Sequence, residues 1–349
     1  MIGERKSAHI EICAIESVGA SCNSWDDVTL LHNAVPEINF DDIDTGVAFL
    51  GKRLKAPLVI AAMTGGSPES EKINENLAIA AAELGIGMVV GSQRPALEDR
   101  EKARSYEVVK RYDVPLMIGN IGAPQLVHQK GKKPITLEDA KACAEMVGAH
   151  AIAIHLNFLQ ELTQPEGDLS AKGCLEGIRR IAGAMPVVAK ETGAGLSGEV
   201  ALELKRARVS ALDVGGLGGT SFAAVEHYRS ARINDALHAR LGKTFWNWGI
   251  PTPVTLVQAD VGLPMVATGG VRNGLDVARA IALGATCAGI ARPLLRPAME
   301  SPAAVKAELE SIIAELKGAM FLTSSPNAES LASKGCIMTG RAKEWLGQL

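Results

Sequence analysis

The sequence predicts an α/β fold of the (β/α)8 type, a TIM barrel, with an N-terminal extension and a C-terminal helical tail. The chain of 349 residues has the length of one such barrel, about 250 residues, with extensions at its ends. From position 57 onward, eight short apolar runs alternate with amphipathic or alanine-rich stretches, as in a parallel sheet with helical crossovers. Several runs end in glycines beside a polar residue, which is typical of the rim that carries barrel active sites. Spacing alone leaves an open doubly wound sheet as the alternative.

The chain divides into three segments on this basis. Residues 1–56 lack strand–helix alternation and are expected to pack on the main body. Residues 57–318 form the barrel, with a long insertion at about 221–252 that contains Trp246 and Trp248. Connections of that length are usually lids or other functional loops. Residues 319–349 form the tail.

Each of the eight units contains a candidate strand, and helical patterns lie between them. The candidate strands are 58–63, 86–90, 115–119, 150–154, 186–189, 211–214, 264–267 and 286–290. The clearest helical patterns are 71–83, 137–147, 198–206 and 274–283, followed by 292–297, 303–317 and a basic helix at 339–345.

Composition restricts the classes of function. Hydrophobic residues at 47%, charged residues at 21% and a net charge of −3 describe a globular protein without a global bias toward nucleic acid or anionic membranes. An anionic ligand must therefore meet a local cluster of cations. The six cysteines are scattered without a C-x-x-C pair, which predicts a reducing, cytoplasmic location and no structural zinc. No apolar run reaches the roughly 18 residues of a membrane span, and no targeting segment is expected.

The most informative stretch follows the fourth candidate strand. The apolar run 151–154 changes abruptly at His155, and Asn157, Gln160 and Glu161 follow. Because the carboxyl ends of barrel strands face the ligand, these groups are candidates for a site. His155 suits a general acid or base, with a hydrogen-bonded rim histidine equally compatible. Glu161 suits Mg²⁺, which takes one or two protein carboxylates beside substrate phosphates, with a surface glutamate as the alternative.

The last two strands end in phosphate-type turns. Gly269-Gly270-Val271-Arg272 follows the seventh strand, and Ala291-Arg292 follows the eighth. Glycines let backbone N–H groups approach a phosphate, and a following helix N-terminus adds partial positive charge. One such motif alone is ordinarily a tight turn, but two adjacent ones with an arginine each favour a cofactor phosphate.

Other cations have more than one interpretation. Lys190 directly follows an apolar strand, so it is a Schiff-base amine, a cation beside an anionic cofactor ring, or a partner of a rim carboxylate such as Glu191. Arg94 lies at a strand end and suits a second anion, since arginine binds phosphate in bidentate fashion. Arg5 and Lys6 suit the same anion or form an ordinary solvated pair.

In order and completeness, these motifs resemble type 2 isopentenyl-diphosphate isomerase, the FMN-dependent form, over essentially the whole chain. Phe158 departs from the resemblance, since proline is common there in the family. The resemblance rests on Arg5-Lys6 with His9, Pro36-Glu37, Met63-Thr64-Gly65-Gly66, Ser92-Gln93-Arg94, His155-Leu156-Asn157 with Gln160-Glu161, Gln164-Pro165-Glu166-Gly167-Asp168, Lys190-Glu191, Gly218-Gly219-Thr220 and Gly269-Gly270-Val271-Arg272.

The resemblance implies a role for each group. Catalytic positions are His155, Asn157 and Gln160. Glu161 is implied as the Mg²⁺ ligand. Isopentenyl diphosphate is held by residues that include the N-terminal pair: Arg5, Lys6, Ser92, Gln93, Arg94, His155, Asn157 and Gln160. FMN contacts are Ala62, Met63, Thr64, Ser92, Asn120, Lys190, Thr220, Gly269, Gly270, Val271, Arg272, Ala291 and Arg292.

The implied reaction converts isopentenyl diphosphate to dimethylallyl diphosphate by moving a proton and a double bond. Protonating an unactivated alkene develops positive charge at a tertiary carbon, so the site needs an electron-rich group and must exclude water. Reduced FMN is implied as that group and as the proton carrier, primed by NADPH or another reductant. The resemblance also implies a homo-oligomer, a tetramer or an octamer.

Two other classes remain open at this point. An FMN-dependent α-hydroxy-acid oxidase or dehydrogenase is similar in fold and in its late glycine turns, but it places a histidine base and an arginine after a late strand. Here residues 213–220 contain neither. A non-enzymatic flavin-binding barrel is the second alternative, and it predicts degraded substrate groups.

Overall fold

A computed structural model describes residues 2–348, and its centre is a closed barrel of eight parallel strands. Met1 and Leu349, the outermost residues of the two end segments, lie outside the described residues. The barrel strands follow one another in chain order around the closed sheet, which confirms the predicted (β/α)8 fold and excludes the open sheet. The strands are β1 (Val28–Leu30), β2 (Val47–Phe49), β3 (Lys52–Leu54), then the barrel strands β4 (Leu58–Ile60), β5 (Gly87–Val89), β6 (Leu116–Gly122), β7 (Ala151–Leu156), β8 (Val187–Glu191), β9 (Ala211–Asp213), β10 (Met265–Ala267) and β11 (Cys287–Ile290), and finally β12 (Cys336–Met338).

Helices occupy the outer layer of the barrel and both ends of the chain. Those predicted at 71–83, 137–147, 198–206 and 274–283 are all present. Among residues 2–348, none of the helices combines the length and hydropathy that crossing a bilayer requires. The helices are α1 (Ile2–Ile15), α2 (Pro68–Leu84), α3 (Arg94–Glu98), α4 (Arg104–Glu107), α5 (Leu137–Val147), α6 (Phe158–Thr163), α7 (Cys174–Ala182), α8 (Gly198–Arg206), α9 (Phe222–Arg232), α10 (Ala236–Thr244), α11 (Thr252–Gln258), α12 (Gly274–Ala282), α13 (Arg292–Glu300), α14 (Pro302–Leu322), α15 (Ala328–Ala332) and α16 (Gly340–Leu346).

Local capping explains where typical helices start and stop. The Thr136 side chain accepts a hydrogen bond from the N–H of Asp139, whose carboxylate accepts one from the N–H of Thr136. This capping box begins α5, and Gly148 in the left-handed conformation ends it. Phe158 is the first residue of α6, a position that also favours proline. The departure at Phe158 therefore does not prevent the helix from starting.

The N-terminal extension is more regular than the sequence indicated. Ile12 of helix α1 and Val18, three residues after its end, pack against Val225 of α9. The β2–β3 hairpin places Phe49 and Leu54 against the apolar residues inside the barrel. Strand β1 pairs antiparallel with β12, so the two ends of the chain are tied together beside the barrel.

The insertion is helical, whereas a long loop was expected. Helices α9 and α10 occupy most of it, and Asp235 begins α10 by accepting a hydrogen bond from the N–H of His238. At the other end, α14 runs past position 318, the boundary proposed between barrel and tail.

Candidate active site

One large cavity of about 810 Å³ opens at the carboxyl ends of the barrel strands. This volume is near the upper end of the range for small-molecule sites. The cavity is lined by the βα loops and also by α1 of the extension. Every predicted site residue except Gln93 lines it, namely Arg5, Lys6, Ala62, Met63, Thr64, Ser92, Arg94, Asn120, His155, Asn157, Gln160, Glu161, Lys190, Thr220, Gly269, Gly270, Val271, Arg272, Ala291 and Arg292.

Gln93 corrects the expectation that the whole Ser92-Gln93-Arg94 motif contacts a ligand. Its side chain is fully buried. The Nε2 atom donates to the Cys143 carbonyl at 2.8 Å, and Oε1 accepts from the Asn120 N–H at 2.8 Å. Both ends of the amide therefore brace β6 and α5, and Gln93 does not line the cavity.

Strand register brings the central polar groups into one row. His155 on β7 is level with Lys190 on β8, and Lys190 is level with Asp213 on β9. Residues at the same height in adjacent parallel strands project toward the same side of the sheet. The row therefore places an imidazole, an ammonium group and a carboxylate side by side at the cavity.

His155 is a neutral hydrogen-bonding group in this row. Asn120 donates through Nδ2 to the Val90 carbonyl, so its Oδ1 accepts the hydrogen bond from His155 Nδ1 at 2.8 Å. Burial, reinforced by Lys6 and Lys190, lowers the pKa of His155 to about 3. At neutral pH the ring therefore carries its proton on Nδ1 and offers Nε2 as an acceptor, so it is not an imidazolium acid in the free protein.

A cluster of three cations, Arg5, Lys6 and Arg94, lies beside His155. Arg94 Nη1 donates to Asp168 at 2.8 Å, and this carboxylate also binds Lys132 at 2.7 Å. No described residue accepts a hydrogen bond from Arg5 Nε, although that atom is buried. Like charges are brought this close in a buried site when an anion compensates them. The cluster therefore fits a polyanionic ligand such as a diphosphate.

The ammonium group of Lys6 should make anion binding depend on pH. Burial, together with the nearby charges of Arg5 and Arg94, lowers its pKa to about 7. Lys6 is protonated below this pKa and neutral above it, so binding of inorganic pyrophosphate should weaken as pH rises from 6 to 8.5. We expect up to about tenfold weaker binding per pH unit above the pKa, measured by calorimetry. The Lys6→Arg variant stays charged, so its binding should show only the pH dependence that comes from pyrophosphate itself. If the wild-type protein and the variant gave the same pH dependence of binding, the role of Lys6 would be contradicted.

Glu161 is held in a pocket of hydrogen-bond donors. Its Oε1 accepts from Asn157 Nδ2 at 3.0 Å, and its Oε2 accepts from the Asp168 N–H at 2.7 Å and from Gln164. The buried Oδ1 of Asn157 has no partner among the described residues. Residues 2–348 contain no cluster of three or more metal-type side chains. An oxygen-rich site with one carboxylate fits Mg²⁺, which keeps several waters and completes its shell with substrate phosphates.

Lys190 is paired with Asp213 and not with Glu191, the carboxylate named in the alternative interpretation. Its Nζ lies 3.1 Å from Asp213 Oδ2 and donates to the Glu191 carbonyl at 3.0 Å. The Glu191 carboxylate instead accepts the N–H groups of residues 192–195 at 2.5 to 3.1 Å. Burial raises the pKa of Glu191 to about 7 against the opposing effect of these N–H groups. Glu191 thus shapes the loop above the cavity, and Asp213 fixes Lys190.

The late glycine turn and α13 form a second anion site on the other side of the cavity. Gly269 and Gly270 adopt positive φ angles of 106° and 77°, which glycine alone adopts readily. Arg292 begins α13, whose N-terminus adds partial positive charge. Arg272, predicted as a cofactor contact, has a guanidinium that already binds Asp26 and Asp276 at 2.7 and 2.9 Å. Its side-chain charge is therefore already compensated.

Sequence reasoning assigned no role to His9, which lines the cavity, or to Glu226 and Arg229, which form an ion pair next to it. His9 Nε2 lies 2.9 Å from Glu226 Oε1, and Gln160 Nε2 donates to the same carboxylate at 3.4 Å. Although burial opposes it, the charges of His9 and Arg229 lower the pKa of Glu226 to about 2. This carboxylate therefore ties α1, α6 and α9 together. No local sequence signal connects positions 9 and 226, because the contact depends on how α1 docks.

The fold and the cavity define a (β/α)8 barrel with a ligand site at the carboxyl ends of its strands. A family model described as FMN-dependent dehydrogenase matches residues 252–338. Among solved structures, mandelate oxidase is similar with a TM-score of 0.64 and 17% identity over 95% of each chain. A putative lactate oxidase of Pediococcus acidilactici gives 0.64 and 14% over 95% of this chain and 87% of that one. At such identities the likeness shows the fold alone.

Curated relatives give the family. A protein of Picrophilus torridus named isopentenyl-diphosphate delta-isomerase is 46% identical over 99% of both chains. Proteins of the same name from Methanosarcina mazei and Archaeoglobus fulgidus are each 47% identical, over 99% and 98% of this chain and 94% and 98% of theirs. The chain belongs to the isopentenyl-diphosphate delta-isomerase family, in its FMN-dependent type 2 form.

Proposed function

We propose that this protein interconverts isopentenyl diphosphate and dimethylallyl diphosphate by a 1,3-proton transfer that uses reduced FMN and Mg²⁺. The observation that carries the proposal is a single cavity with two separate anion sites. One is the cation cluster Arg5, Lys6 and Arg94 beside Glu161. The other is the glycine turn at 269–270 with Arg292. A flavin phosphate and a substrate diphosphate need two such sites facing one reaction space.

The residues of the flavin side fit FMN. The N–H groups of the turn and the α13 N-terminus would take its phosphate, and Lys190 would lie beside its ring. When bound and reduced, FMN supplies an electron-rich ring and a proton carrier for the reaction. Residues proposed to hold it are Ala62, Met63, Thr64, Ser92, Asn120, Lys190, Thr220, Gly269, Gly270, Val271, the backbone of Arg272, Ala291 and Arg292.

The residues of the substrate side fit a metal-bound diphosphate. Arg5, Lys6, Arg94 and Ser92 would bind phosphate oxygens, and Glu161 would hold Mg²⁺. The free Oδ1 of Asn157 would accept a hydrogen bond from a metal-bound water. These groups would fix the diphosphate at one end and so hold the alkene inside the cavity.

His155 and Gln160 are proposed to position the reacting groups. Gln160 is oriented by Glu226, and His155 by Asn120. Because His155 is neutral, it adds no further positive charge next to the carbon where positive charge develops. His155 is buried and Gln160 is partly buried, which limits the access of bulk water to the reacting carbons.

The direct test is to incubate the reduced protein with isopentenyl diphosphate and Mg²⁺ and to detect dimethylallyl diphosphate. Product formation without net consumption of reductant is the expected result. An α-hydroxy-acid oxidase would instead oxidise a hydroxy acid and form no isomer, and a mere flavin-binding barrel would do neither. Full activity of the oxidised protein without a reductant would contradict the role given to reduced FMN.

The oxidase alternative lacks its histidine and arginine in the loop after β9. Five of the residues 215–220, all but Leu217, line the cavity, and the loop contains neither histidine nor arginine. The isomerase proposal therefore explains the polar residues present, and the oxidase proposal requires a base that is absent from this loop.

Replacing Lys190 should change the redox potential of the bound flavin. Lys190→Met removes the positive charge that favours the reduced, anionic ring and leaves Asp213 unpaired. We expect the two-electron midpoint potential to fall by about 30 to 60 mV, which corresponds to a factor of 10 to 100 in the reduction equilibrium. Dye-equilibration titration measures this shift, and Lys190→Arg should restore most of it. An unchanged potential would place Lys190 outside the flavin site.

Three accompanying features belong to the same proposal. NADPH or another reductant is proposed to prime the FMN, and the active form is proposed to be a homo-oligomer, a tetramer or an octamer. A cytoplasmic, reducing location is supported by six cysteines that all remain free thiols.

A further inference from the structure

The glycine turn of the flavin side is held from behind by residues far away in sequence. The Gly269 carbonyl accepts hydrogen bonds from Trp25 Nε1 at 3.0 Å and from Thr252 Oγ1 at 2.8 Å. The Gly270 carbonyl accepts one from Asn23 Nδ2 at 2.8 Å. Trp25 and Thr252 are both fully buried, and neither lines the cavity, so the Gly269 carbonyl points into the protein.

Because the Gly269 carbonyl is held in place, the direction of the Gly270 N–H in the same peptide group is also fixed. The peptide that joins Gly269 to Gly270 is planar and trans, so its N–H points away from its carbonyl. Holding the Gly269 carbonyl in the interior therefore turns the Gly270 N–H toward the cavity. Among residues 2–348, no group accepts a hydrogen bond from the N–H of Gly270 or of Val271. Such unused N–H groups form an anion-binding concavity.

Without these donors the turn would have a competing conformation. Glycine populates both signs of φ at low cost, so a peptide between two glycines rotates more easily than others. Rotation would turn the partly negative Gly269 carbonyl toward the phosphate and withdraw the N–H. Trp25 and Thr252 oppose this rotation because their hydrogen bonds to the Gly269 carbonyl would be lost. The Thr252 hydroxyl would be left with the Leu217 carbonyl, which is farther away at 3.2 Å.

We propose that Trp25 and Thr252 are positioning residues for the flavin phosphate: they hold the Gly269 carbonyl and thereby aim the Gly270 N–H at the phosphate. The inference rests on the proposed function, since it requires the phosphate of FMN in this turn. It gives the N-terminal extension a second role besides carrying Arg5 and Lys6. The ion pair of Asp26 with Arg272 at 2.7 Å fastens the segment next to Trp25 to the same turn.

The test compares FMN with riboflavin, which lacks the phosphate. Full-length protein is reconstituted with either flavin, and its dissociation constant is measured from the recovery of flavin fluorescence on dilution. Trp25→Phe removes the N–H and keeps an aromatic ring. We expect its dissociation constant for FMN to rise about tenfold, the equivalent of one hydrogen bond, with the constant for riboflavin unchanged within about twofold.

Thr252→Val is a second variant on the same carbonyl and removes a hydroxyl without changing the shape of the side chain. It should lower the preference for FMN over riboflavin in the same direction. The matched control is Thr255→Val on the same helix, because this fully buried hydroxyl donates to the Leu196 carbonyl instead. The control should leave the preference unchanged.

The possible outcomes distinguish a failure of the inference on Trp25 and Thr252 from a failure of the proposed phosphate site. Equal weakening of both flavins by Trp25→Phe and Thr252→Val would show a general structural role and overturn the inference. Unchanged binding of both flavins would overturn it as well. A wild-type protein that holds riboflavin as tightly as FMN would instead refute the phosphate site of the proposed function.

Discussion

Replacing Arg94 with alanine should raise the KM for isopentenyl diphosphate by about 10- to 100-fold with the flavin still bound. Arg94 is 8% exposed and lies in the cation cluster with its guanidinium held by Asp168. A charge-assisted hydrogen bond contributes about 1.5 to 3 kcal/mol, and this range sets the expected change. Steady-state kinetics with varied substrate, together with the flavin absorbance of the purified variant, measures both quantities.

Lys132→Ala is the matched control for Arg94. Lys132 binds the same Asp168 carboxylate at 2.7 Å, but its side chain is 43% exposed and does not line the cavity. Its loss should change KM by no more than a few fold. If Arg94→Ala instead released flavin and left KM unchanged, Arg94 would belong to the flavin side of the cavity.

The barrel itself could be predicted because its strands are buried on both faces. Such strands are continuous apolar runs separated by helical patterns, and β7 and β8 were found in this way. Helix α1 was missed, since it gains its stability from docking on α9 and carries little apolar pattern of its own. The insertion was interpreted as a loop although Asp235 gives an N-cap signal for α10.

The sequence predicted which residues line the site, but it did not predict which of them form ion pairs with one another. Glu191 was considered as the partner of Lys190, yet adjacent residues of a strand point to opposite faces. The actual partner Asp213 follows from the register of β8 and β9, which the sequence does not contain. The ion pairs of Arg272 could be predicted only in part. Asp276 lies four residues later, a spacing that favours an ion pair on a helix, whereas Asp26 belongs to the distant N-terminal extension and gives no local signal.

Replacing Glu161 with glutamine should lower activity by at least about 100-fold and raise the Mg²⁺ concentration needed for half-maximal rate. Mutating a residue that only hydrogen-bonds to a metal ligand already lowers metal affinity or activity by about 10- to 100-fold. Glu161 is proposed as a direct ligand, so a larger loss is expected. Its carboxylate accepts hydrogen bonds from Asn157, Gln164 and Asp168. In the glutamine variant an NH₂ group replaces one carboxylate oxygen and would face at least one of these donors, which adds an unfavourable contact. Initial rates over a Mg²⁺ titration measure the effect, and flavin content should stay unchanged.

Glu166→Gln makes the same chemical change in the same segment and separates a metal ligand from a general charge effect. Glu166 is 46% exposed, pairs with Arg5 and Arg229, and does not line the cavity. Removing its charge leaves the positive potential at the diphosphate site slightly higher, so KM should fall or stay constant and the Mg²⁺ requirement should not move. If both variants shifted the Mg²⁺ titration equally, the effect would come from net charge near the cation cluster. Glu161 would then hold Asn157 and the 164–168 loop in place without contacting the metal.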